Sequence, residues 1–175
     1  MVTPRSPIIA DTTPMQSWQG ILCPEPPPLR GNTPKIAAQA AKMLEDRLRR
    51  YPFMVKEGRI TKAVADDEIK VWSLIASDWH WIMTGEGEPA PIEKMCERRA
   101  AIDKSLANLA DIHREHGDFT MRTNFIAHLI IAMRWHLEPE RGCRDIYWHA
   151  SITHDLRKRA ARDRQWQNPQ RSKVA

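Results

Sequence analysis

Two histidines and a run of cations are the side chains whose spacing in this chain suggests chemistry. His113 and His116 stand three residues apart, with Glu115 between them and Asp111 and Asp118 flanking. On a helix, residues three apart share a face, so two imidazoles there can meet one metal ion. Further ligands would have to come from Cys96, Cys143, His128, His136, His149 or His154. The spacing His136-x6-Cys143-x5-His149-x4-His154 fits no zinc module. Structural zinc is usually held by two tight ligand pairs, and this chain has one. The pair is therefore read as a polar helix end, and neither a metal nor a cofactor is assigned.

Catalytic motifs are absent from the chain: no Gly-x-Ser-x-Gly, no phosphate-binding glycine loop and no HExxH. Cys143, between Gly142 and Arg144, is an activated thiol only if the fold brings a base to it, and a lone cysteine is commonly a small inert residue. Asp66-Asp67-Glu68 fall in the first turns of an expected helix, where negative charge offsets the macrodipole. No catalytic residue is named, and the chain reads as a binding protein rather than an enzyme.

The basic end is the stronger candidate. Net charge is +5, and its distribution is uneven: residues 141–175 carry nine basic and three acidic groups, residues 84–140 seven and ten. Arg157, Lys158, Arg159, Arg162 and Arg164 lie within eight residues, with Trp166 just beyond. On a helix Arg157, Lys158 and Arg162 share a side, a cationic stripe able to neutralise phosphates, and Trp166 can stack on a base. Trp18 and Trp81 are candidate protein-interface anchors, since an exposed indole is a common hot spot.

These residues need elements to hold them. Residues 1–34 contain eight of the thirteen prolines and no apolar period, so residues 1–33 are expected to be a disordered arm. Thr33-Pro34 is a helix start, and Ile36, Ala40, Met43, Leu44, Leu48 and Tyr51 follow at helical spacing until Pro52 interrupts them. Thr61 can cap a second helix with the stripe Ala65, Ile69, Trp72, Ile75, Ala76, Trp79 and Met83. Residues 34–83 thus form a helical hairpin, and 84–90, rich in Gly, Glu and Pro, a linker. A three-helix unit is expected over 91–165. Its first helix carries Ile92, Met95, Arg99, Ile102, Leu106 and Leu109 on one face and ends near His116-Gly117. Its second, capped by Asp118 or Thr120 and running to about Leu137, is apolar nearly all round and so central. Its third has the basic end. Residues 166–175 are a disordered tail. The fold class is all-α.

Arg49-Arg50-Tyr51-Pro52, Val55, Gly58-Arg59-Ile60, Ala65, Ile69, Trp72 and Ile75-Ala76 together resemble a segment of short, uncharacterised helical proteins of alphaproteobacteria and their prophages or mobile elements. The resemblance spans residues 40–78. It implies a helix, a Tyr-Pro break, a glycine turn and a second helix, and a bacterial or phage origin; it carries no chemistry.

Three widely spaced cysteines fit reduced thiols in the cytoplasm, and the start of the chain has no signal-peptide pattern. The longest apolar stretch, 125–133, is too short for a bilayer, which takes about 20 residues. The expected function is that of an accessory protein of a bacterial genome, phage or mobile element, touching nucleic acid through its basic C-terminal helix. The alternative is a protein-binding module or inhibitor acting through the hairpin and the proline-rich arm.

Overall fold

A computed structural model describes residues 13–117, 119–138 and 143–167. Two short strands, β1 (Met15–Trp18) and β2 (Ile21–Pro24), precede five helices: α1 (Thr33–Lys56), α2 (Lys62–Thr84), α3 (Met95–His116), α4 (Met121–Trp135) and α5 (Cys143–Gln167). A single 3-10 turn, Ile92–Lys94, leads into α3. The molecule is mostly helical, as its periodicity demands.

Helix α1 is capped by Asn32, whose side chain accepts from the Lys35 N–H at 3.3 Å, one residue before the expected Thr33. It also runs straight through Pro52. Proline removes the hydrogen bond to the carbonyl four residues back. That carbonyl belongs to Leu48, which is exposed, so water is at hand for it and the helix survives four more residues. The turn comes instead at Gly58, in the left-handed region at φ 70°. Thr61 then caps α2, accepting from the Val64 N–H at 3.3 Å. The α1–α2 pair is the expected helical hairpin.

Helix α4 is the central element. Ala127 and every residue from Leu129 to Arg134 are buried. Thr120 is its cap, at 3.1 Å from the Thr123 N–H. Trp72, Ile75 and Trp79 of α2, Ile102 and Leu106 of α3, and Ile130, Ile131 and Met133 of α4 belong to one buried cluster with Ile36 and Ala40 of α1. The hairpin and the three helices after it therefore share a core, with α1 on α4 and α2 on α3. Helix α5 packs chiefly on α2.

The expected disordered arm is corrected by the structure over residues 13–33; residues 1–12 lie outside the described residues. Strands β1 and β2 pair antiparallel, Trp18 opposite Ile21, and Gln19 and Gly20 both have positive φ, the two-residue turn that suits strand twist. Alternate side chains point inward: Trp18 is 5 % exposed, Ile21 and Cys23 are buried, and Leu22 faces water. Burial pushes the Cys23 thiol up to about 11, which makes it unreactive. The segment is tied to α4 by three contacts: the Arg134 guanidinium lies 5.6 Å from the Trp18 ring centre, Trp135 Nε1–H donates to Glu25 at 2.8 Å, and the His136 ring bonds the Arg30 carbonyl at 2.8 Å. Proline density concealed an alternation only four residues long.

This docking has a measurable consequence. Replacing Trp18 by Ala should lower unfolding free energy by about 3–5 kcal/mol, the usual loss for a buried large aromatic. Leu22→Ala, on the outer side of the same hairpin, should change it by less than about 0.5 kcal/mol. Urea unfolding of both variants checks this; equal midpoints would detach the hairpin from the core.

Candidate functional site

Helix α5 is built in two halves. The first is held against α2. His154 is buried, its ring nitrogen Nε2 bonds the Trp81 carbonyl at 2.9 Å, and its ring stands edge-on to the Trp81 indole at 5.4 Å. Gly85, the left-handed cap of α2, lies so close that a Cβ there would sit 2.7 Å from His154 Cγ. Only glycine suits both the positive φ and the approach. Ala150 is buried on the same side, and the Tyr147 ring stacks on Trp81 at 6.2 Å.

Beyond His154 every residue to Trp166 is exposed. Arg157, Lys158, Arg159, Arg162 and Arg164 stand on this segment, and none of them is in an ion pair among the described residues. Asp155 and Asp163 share the segment, which leaves it a net positive charge. At 100° per residue the five cations are spread around the axis rather than along one stripe. Trp166 is 87 % exposed.

Comparison with protein-family models, curated proteins and solved structures finds no match.

The other sequence candidates fare differently. Trp18 is a core residue, not an interface anchor, because its strand alternation turns it inward. Trp81 is half-buried between Tyr147 and His154. His113 stacks on Phe119 at 4.5 Å, while His116 is exposed beside Glu115. Among the described residues no three His, Cys, Asp or Glu side chains gather as a metal site. The Cys143 thiol lies outside the described side chains.

A buried polar cluster positions α5. Asp78 of α2 and Arg98 of α3 form an ion pair at 2.5 Å with both side chains almost wholly buried. The Tyr147 hydroxyl of α5 donates to the same carboxylate oxygen and accepts from Arg98 at 3.1 Å. The other carboxylate oxygen accepts from the Ala90 N–H at 2.9 Å. Burial pushes the Asp78 carboxyl up, against the pull of Tyr147, the Arg98 charge and the Ala90 N–H. Burial and the neighbouring Asp78 charge push the Tyr147 hydroxyl up as well, so it stays protonated and able to donate. The cluster has no free reactive group; its work is to join three helices. A signal for it existed in the sequence. Asp78 lies three residues after Ile75, and Arg98 four before Ile102, so charges sit where the apolar period runs. Arg99, the residue the apolar spacing places on that face, is instead half-exposed and pairs with Glu138 at 3.2 Å.

Two further polar clusters stitch the bundle. Arg47 lies over the Trp72 ring at 4.1 Å, donates to Ser105 at 3.0 Å and faces Glu68 at 3.6 Å, which also accepts from Tyr51 at 2.8 Å. Arg134 bonds Asp103 at 2.8 Å and also pairs with Glu138.

Arg98→Ala would leave the Asp78 charge buried without its cation. Stability should fall by about 3–5 kcal/mol, whereas Arg99→Ala at the half-exposed pair should change it by about 1 kcal/mol or less. Calorimetry of the two variants gives the comparison, and similar losses would remove Arg98 from its central place.

A pH effect follows from His136. Its Nε2–H donates to the Arg30 carbonyl, and its Nδ1 is buried with no hydrogen-bond partner among the described residues. Burial lowers its pKa, with the Arg30 charge adding to this and the hydrogen bond opposing it. The unfolded chain then takes up this proton more readily than the native one, so stability present above about pH 6.5 should be lost as pH falls towards the lowered native value. His136→Gln keeps a neutral donor and should flatten that decline in urea midpoints; an unchanged slope would assign it elsewhere.

Proposed function

We propose that the protein contacts nucleic acid through the basic end of α5, as a cytoplasmic accessory protein of a bacterial genome, phage or mobile element. The observation that carries this reading is the exposure of five cations, unpaired among the described residues, on a helical segment with no core of its own. Packing does not require them there, and a cation already matched by a carboxylate would gain little from a phosphate. Unmatched ones displace the counterions of a polyanion, and that release drives binding. The resemblance over residues 40–78 accounts for the bacterial and mobile-element part of the proposal. No helix among the described residues is long and apolar enough to cross a membrane.

Cations spread around an axis do not read sequence. They hold phosphates, and base discrimination requires a recognition element in a groove. Affinity should accordingly be sequence-tolerant and steep in salt.

Fluorescence anisotropy with labelled DNA provides the test. With all five cations engaged, log affinity should fall with log salt at a slope of about −4 to −5 for a duplex. Changing Arg157, Lys158, Arg159, Arg162 and Arg164 together to Gln should abolish binding and leave helical circular dichroism nearly intact, since Gln is a good helix former. Equal binding by both proteins, or none by the wild type at low salt, overturns the proposal.

A further inference from the structure

We infer that the outer face of α5 is a platform for single-stranded nucleic acid, running from Trp148 to Trp166. This rests on the nucleic-acid reading above and adds the form of the ligand. Trp148 is 61 % exposed and Trp166 87 % exposed. They stand eighteen residues apart on one helix, which is five full turns, so both indoles leave the axis in the same direction. Ile152, Asp155, Arg159 and Arg162 fall within about 40° of the line joining them. The buried residues Ala150 and His154 are on the other side, which is why this line faces solvent.

The chemistry of that line distinguishes ligands. Along the axis the indoles are about 27 Å apart at 1.5 Å per residue. A stacked strand rising 3.4 Å per nucleotide covers that span with about eight nucleotides, and an extended one with fewer. Arg159 and Arg162 lie between the aromatic ends, where a backbone would pass. Asp155 shares the line and opposes phosphate, but Arg157, Lys158 and Arg164 around the same turns keep the segment cationic. Every base has a π-face for an indole, so stacking needs no sequence. A duplex hides those faces in its own stack, and to it this line offers only cations.

Trp148 also borders a cleft of about 630 Å³ with Pro89, Pro91, Ile92, Met95 and Tyr147. Its walls are mostly apolar, and its size is within the range of small-ligand sites. A base stacked at the Trp148 end of the strand has room to enter it.

The experiment compares a labelled oligothymidylate of about 12 nucleotides with a duplex of equal length, using the full chain at one low salt concentration. The single strand should bind roughly tenfold or more tightly than the duplex, and Trp148→Ala or Trp166→Ala should each weaken single-strand binding about 5- to 100-fold while leaving duplex binding unchanged. Both indoles are exposed, so circular dichroism should confirm that the variants fold. Equal affinity for the two ligands with no effect of either substitution overturns the platform and leaves the polyanion reading standing. Binding to neither ligand overturns both, as does preference for vesicles of anionic phospholipid over either nucleic acid.

Discussion

Asp78 and Arg98 bring two opposite charges out of water, and the rest of the molecule is arranged so that they can stay there. Transferring either charge alone into the core would cost far more than a domain's net stability allows. The pair is tolerated because both carboxylate oxygens are matched: one by the Ala90 N–H, the other by Arg98 and the Tyr147 hydroxyl. Those partners come from α2, α3, α5 and the loop after α2. Each must arrive in register or the charges are left unsatisfied. Such a cluster adds little net stability compared with packed hydrocarbon, but it penalises alternative dockings of α5 heavily.

That penalty matters most for α5, which packs chiefly on α2 and is exposed from Asp155 to Trp166. Tyr147, Ala150 and His154 hold its first half on Trp81 and Gly85. The second half has no core, yet it remains helical. Isolated helices are marginal because their first turn is costly to form. Here the anchored half supplies that turn, and Ala160, Ala161, Arg, Lys and Gln, all good helix formers, extend it. The outcome is a cationic arm whose direction is set by a buried network.

A comparable division holds at the other end of the chain. The β-hairpin is too short to be stable alone. It persists because Trp18, Ile21 and Cys23 fill the core and because Trp135, His136 and Arg134 at the end of α4 grip the segment. The same proline-rich composition that argues for an extended chain is compatible with order once a surface is present to receive it.

Helical periodicity, the Thr61 cap, the Gly117 end of α3 and the uneven charge were all legible in the amino-acid sequence, because each depends on residues within a few turns of one another. So was the central burial of α4, whose apolar residues run nearly all round. The interior fate of Trp18, the continuity of α1 through Pro52 and the meeting of Asp78, Arg98 and Tyr147 were not. These depend on contacts between residues 20 to 116 positions apart in the chain, or on solvent access at a helix surface. The basic residues themselves were plain in the sequence. Only the tertiary structure decided that they stand clear of the core and of every carboxylate among the described residues, because exposure is a property of how α5 is held rather than of its composition.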